Sequence, residues 1–151
     1  MRFTAWRICR KMASDIEKAR ELLRDGGYTC VLVSGGESLV SRERGVKPLV
    51  GFLDGGVEAG FCAADRVVGR AAAFLYVLLG ASQVWAGVMS RGAADVFTRY
   101  GIACSCDTLT DSIVNRRGDG PCPMEEAVRG VGEPEAALER IRLKLSELAG
   151  K

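Results

Sequence analysis

Histidine is absent from this chain of 151 residues, and with it the side chain most often used as a general base near neutral pH and as a metal ligand. No stretch reaches the roughly 18 consecutive apolar residues of a membrane span, and the first dozen residues lack the apolar run of a signal peptide. The expectation is a cytoplasmic protein with no membrane contact. Charge of one sign is also missing: 21 Lys and Arg stand against 19 Asp and Glu, interleaved along the chain, for a net +2. Such a balance gives no broad positive field to hold a phosphate backbone, so nucleic acid is not expected as a partner. The one basic concentration is Arg2, Arg7, Arg10 and Lys11, which reads as a basic N-terminal extension over residues 1–13 ahead of a single domain at 14–151. Internal repeats, low-complexity segments and the G-x-x-x-x-G-K-[ST] phosphate loop are absent too, which removes solenoid and nucleoside triphosphatase readings.

What is present describes an ordinary globular domain: 48% hydrophobic and 26% charged residues, far from the signature of disorder. Six cysteines stand at 9, 30, 62, 104, 106 and 122. Cys30 and Cys62 lie within apolar runs like those of buried elements, so reduced thiols are expected rather than a disulfide framework.

Ser14-Asp15-Ile16-Glu17 has the form of a capping box, with Ile16, Ala19, Leu22 and Leu23 at helical spacing and Gly26-Gly27 behind them, predicting a first helix near 15–25. Tyr28–Ser34 and Glu37–Arg42 flank Gly35-Gly36 and predict a β-hairpin. Glycines at 45, 51, 55, 56 and 60, with Pro48, predict a long, partly buried connection. Asp65–Leu79 is apolar on nearly every side after its first turn and predicts a central helix, with Asp65 at the positive end of its dipole. Gln83–Met89 predicts a buried strand, Ser90 caps a third helix running to about Tyr100, and Ile102–Cys106 predicts a further strand. A short helical stretch at Pro123–Val128 and a closing amphipathic helix from Pro134 to about Leu148 complete the chain. This order demands a mixed sheet covered by helices, a three-layer α/β/α sandwich.

Three strings carry a family likeness: Ala64-Asp65-Arg66-Val67-Val68-Gly69-Arg70-Ala71-Ala72-Ala73, then Val88-Met89-Ser90, then Cys122-Pro123-Met124-Glu125. Together with the element order, they resemble a prokaryotic domain-of-unknown-function family with a cytidine deaminase-like fold. The resemblance covers roughly residues 15–130. It implies a ligand cleft where the starts of the central and third helices meet near the sheet edge. Catalytic deaminases place a His or Cys two residues before a Glu, and a P-C-x-x-C pair at the next helix, so that zinc activates a water. Here Asp65-Arg66-Val67 and Ser90-Arg91-Gly92-Ala93 stand in those places. The zinc motif is missing, no metal or other cofactor is expected, and zinc-dependent deamination is not carried over.

The candidate residues follow from these strings and from the polar loops near them. Cys122, ahead of a short helix, is the nucleophile candidate, although no histidine exists to serve as its base. Asp54 and Asp65 are the carboxylate candidates. Asp65, Arg66, Ser90, Asn115, Arg116, Cys122 and Glu125 are the candidate ligand contacts, Asp65 and Arg66 because a polar ligand could enter at a helix N-terminus. Cys104 and Cys106 share one face of their strand, a packing pattern more than a metal site. Two readings stand: a module that binds a small, nucleotide-like ligand, and an enzyme of different chemistry in the same cleft using Cys122, Asp54 or Asp65. Sheet edges and the apolar parts of the 45–63 connection also offer a surface for a homodimer.

Overall fold

A computed structural model describes residues 15–115 and 117–150. The basic N-terminal extension, Ser14 of the capping box and Arg116 lie outside the described residues.

The first helix, α1 (residues 15–26), buries Ile16, Ala19 and Leu23. The hairpin follows as β1 (Cys30–Ser34) and β2 (Glu37–Ser41), antiparallel, with Ser34 opposite Glu37. Gly35 and Gly36 take φ of 57° and 93°, the pair of positive angles that lets a two-residue turn match the twist of its strands.

Next comes a helix where a connection was expected: α2 (Lys47–Gly55), with Pro48 in its first turn and Gly56 closing it at φ 77°. Its glycines hid it from a reading that takes glycine as punctuation. Gly51 and Gly55 sit where a Cβ would meet nothing within 4 Å, so they cost the packed side nothing. Pro48 and Leu49 are buried, with Val50, Phe52 and Leu53 half-buried against the core.

The largest departure lies at Asp65. The stretch expected to be one helix from Asp65 to Leu79 is a strand, β3 (Cys62–Val68), then Gly69, then α3 (Arg70–Leu79). β3 is central, antiparallel to β1 and parallel to β4. A strand covered on both faces loses the alternation that marks strands in sequence, and its Ala-Ala-Asp-Arg string then imitates a helix start. Arg66 and Arg70, four residues apart, are divided between the strand and the helix.

The remainder is β4 (Gln83–Ser90), α4 (Arg91–Arg99), β5 (Ala103–Thr110), α5 (Pro123–Ala127) and α6 (Pro134–Ala149). β5 runs four residues past the predicted Cys106, paired along its length with β4. The sheet order is β2-β1-β3-β4-β5, with the last three strands parallel.

Two apolar clusters define the layers. On one face α1 sets Ala19 and Leu23 against Val31, Val33 and Ala64, and the Arg20 guanidinium lies 4.6 Å from the Trp85 ring centre. On the other face α2 to α6 gather around α3, whose Ala73, Phe74, Leu75 and Tyr76 are fully buried. The result is a three-layer α/β/α sandwich. Ser90 caps α4 as predicted: its hydroxyl accepts from the Ala93 amide at 3.0 Å. Replacing Ser90 with Ala is expected to cost about 1 kcal/mol, read as a lower urea midpoint at unchanged m value.

Candidate functional site

β3 outruns its neighbour β1. Pairing between them spans Cys62 to Asp65 on β3, with one further bond from the Arg66 amide to the Thr29 carbonyl at 3.2 Å. Past that point the β1 side of β3 is uncovered, at the carboxyl end of a strand that feeds α3. In open α/β sheets this is where a crevice forms. The segment after β2 (Arg42–Val46) and the segment around Cys122 to Glu125 fold over it, enclosing a cavity of ≈650 Å³. Ala71, Ala72, Val46, Ile113 and Met124 supply apolar walls.

Asp65 forms the floor. It is 8% exposed, and its Oδ2 accepts from the Tyr76 hydroxyl at 2.7 Å. Oδ1 takes a long contact from the Val67 amide at 3.4 Å. Cys30 Sγ lies 3.3 Å from the Tyr76 oxygen. Because the tyrosine proton goes to Asp65, the thiol is the donor in that contact, and the chain runs Cys30 to Tyr76 to Asp65. Burial pushes the Asp65 carboxyl from its ordinary 3.8 up to about 7, against the pull of the Tyr76 bond and the nearby Val67 and Arg66 amides. Burial also pushes the Tyr76 hydroxyl and the Cys30 thiol upward, helped by the charge of Asp65. Asp65 is therefore the member of this chain that titrates near neutrality.

The mouth is basic. Arg42, Arg44 and Arg66 line it and are exposed. Arg66 Nε donates to the Tyr28 carbonyl at 2.7 Å. Arg42 Nη2 donates to the Gly26 carbonyl at 3.0 Å, with its guanidinium 4.4 Å from the Tyr28 ring centre. Among the described residues, none of the three is ion-paired to a carboxylate.

The opposite wall is held by Glu125, whose two oxygens accept from the Arg70 and Ala71 amides at 2.7 and 2.8 Å. A carboxylate thus occupies the positive end of α3. Gly69 makes room for it, since a Cβ there would fall 2.6 Å from the Glu125 Cδ. Arg70 ties α3 to the turn after α5 through the Val128 carbonyl at 2.7 Å and the Val131 carbonyl. Half-buried Cys122 precedes α5 and lines the same cavity.

Of the candidates read from sequence, Asp65, Arg66, Cys122 and Glu125 line one cleft. Asp65 does so from a strand rather than from a helix start, and Glu125 serves as the cap of α3. Ser90 is buried at the head of α4 and does not line the cavity. Asn115 bonds to Asp119 at 2.8 Å within its own turn, outside the cavity. Asp54 is removed altogether, pairing at 2.7 Å with Arg142 of α6 on the surface. Among the described residues no group of three His, Cys, Asp or Glu side chains is arranged to hold a metal ion, and no helix is long and apolar enough to cross a membrane. Sequence reasoning missed Arg42, Arg44, Tyr76 and Cys30. Tyr76 carries a signal: it is the one hydroxyl on a helix that is otherwise apolar after Arg70, and a buried hydroxyl needs a partner.

The fold and cleft define an open-sheet α/β protein with its crevice at the carboxyl end of a central parallel strand. The family model described as "TM1506: Domain of unknown function (DUF1893)" matches residues 18–145, and the chain belongs to that family. A crystal structure of a DUF1893 family protein (TM1506) from Thermotoga maritima is similar at a TM-score of 0.78 and 26% identity, over 89% of this chain and 90% of that one. Comparison with curated proteins finds no match.

Proposed function

We propose that the cleft binds a small phosphate-bearing ligand of nucleotide kind, without zinc-dependent deamination. The observation that carries this reading is the mouth: Arg42, Arg44 and Arg66 converge on one cavity, and among the described residues none of them is ion-paired to a carboxylate. Guanidinium groups suit phosphate through paired donors. Apolar walls below them suit a flat ring.

Support for the likeness to the deaminase-like fold comes from the succession of hairpin, β3, α3, β4, α4 and β5 with a cleft at the head of α3. At that head stand Gly69, Arg70 and Ala71, capped by Glu125.

Among the described residues Arg44 has no side-chain hydrogen bond or ion pair, unlike Arg42 and Arg66, which makes it the cleanest probe of the mouth. Titration calorimetry with ribose 5-phosphate at low salt is expected to show binding that weakens about tenfold in Arg44→Ala and fades as salt rises. Unchanged affinity in Arg44→Ala would contradict the reading.

A second reading, catalysis, is favoured by Asp65 alone, a carboxyl pushed up to about 7 at the floor of a cavity, as a general base requires. Cys122 is the companion nucleophile candidate. Alkylation near neutral pH that singles out Cys122 would support it, whereas equally slow labelling of every thiol would remove it.

A further inference from the structure

We propose that Asp65 reads the inner end of this ligand, its Oδ1 accepting an N–H from the exocyclic amine of a nitrogen heterocycle whose phosphate remains with the arginines. The inference rests on the reading of the cleft as the site of a phosphate-bearing ligand, and it adds which ring that ligand carries.

Three features lead to it. Asp65 is more than nine-tenths buried yet lines the cavity. Tyr76 fixes the carboxyl by taking Oδ2, while Oδ1 accepts a long 3.4 Å contact from the Val67 amide and the Arg66 amide also lies near the carboxyl among the described residues. An ionised carboxylate accepts at about four lone-pair positions, so a buried one with a single short bond retains capacity for a donor. The walls between this floor and the basic mouth are apolar, with Val46, Ala71, Ala72 and Met124 along them. A ligand that satisfies all three regions is anionic at one end, flat and apolar through its middle, and a hydrogen-bond donor at the other.

A carbonyl in place of the amine would set lone pairs against the carboxylate, leaving a buried acceptor unmatched at a cost that separates otherwise identical rings. The groups facing Asp65 leave it as the switch between pH 6 and 8. Tyr76 from α3 and Cys30 from β1 are pushed upward and stay protonated. Arg42, Arg44 and Arg66 at the mouth, and Glu125 with its two amide donors, are the other charged groups that line the cavity.

The test is titration calorimetry with two pairs of probes that differ by amine against carbonyl: cytidine and uridine monophosphate, and adenosine and inosine monophosphate. Ribose 5-phosphate serves as the probe of the mouth alone and carries the phosphate's own titration. In at least one pair the amine-bearing nucleotide is expected to bind ten times tighter or more. That preference should grow from pH 6 to 8 as Asp65 ionises, and it should vanish in Asp65→Asn. Members of both pairs binding within twofold of each other, with Asp65→Asn unchanged, would overturn the assignment of Asp65 while the phosphate reading stands. No binding by any of the five, ribose 5-phosphate included, would overturn the phosphate reading and this inference with it.

Discussion

Asp65→Asn is expected to make the protein more stable, not less, and only above about pH 5. The Asp65 carboxyl is pushed from 3.8 up to about 7 in the folded chain, so the folded state holds its proton more tightly than the unfolded one. Where the folded state binds more protons, stability falls as pH rises. The wild type accordingly keeps its full stability below the unfolded value near 4, loses it progressively to about 7, and is level above that. The separation between 3.8 and about 7 corresponds to about 4 kcal/mol at pH 8. Asparagine has no charge to bury and can still accept from Tyr76. Urea unfolding of both proteins at pH 4 and pH 8 checks this: the curves should nearly coincide at pH 4 and separate at pH 8 with the variant ahead. A variant less stable at pH 8 would show that the carboxylate is a structural bond rather than a retained cost. Groups kept at such a cost within a cleft mark functional sites more often than packing sites.

The second large effect sits at the opposite wall. Gly69→Ala puts a methyl group 2.6 Å from the Glu125 Cδ and Oε1. The backbone at Gly69, φ −98° and ψ −173°, is open to any residue, so no backbone strain is added. The carboxylate must leave, and the Arg70 and Ala71 amides lose their acceptor. Gly69→Ala and Glu125→Ala are each expected to cost about 2 kcal/mol in urea unfolding. Because both remove one contact, the double variant should cost little more than either single one. Additive losses would show that Glu125 does not hold the head of α3.

Where the sequence was legible, the signals were local. Gly35-Gly36 specified the hairpin turn, Ser90 the head of α4, and Pro134 the start of α6, because turn and cap chemistry acts over a few residues. Where it failed, the cause was burial on both faces or a long-range approach. β3 loses its alternation at the centre of a mixed sheet covered on both faces, so its string imitates a helix start while Asp65 stands on the strand before α3. α2 was hidden by glycines on its open side. The cleft was legible in part: Asp65, Arg66, Cys122 and Glu125 line it, drawn from the strings that carried the family likeness. Arg42 and Arg44 could not be found that way. They stand just past the hairpin, and nothing local says that this end folds over the free edge of β3.

The titration of the Asp65 carboxyl is directly observable. ¹³C NMR of the Asp65 side-chain carboxyl, assigned by its loss in Asp65→Asn, should show a midpoint near 7 in the free protein and a lower one with saturating cytidine or adenosine monophosphate, since an N–H donor favours the ionised form. A midpoint near 4, unmoved by either nucleotide, would contradict both the buried floor and its role in holding a ligand.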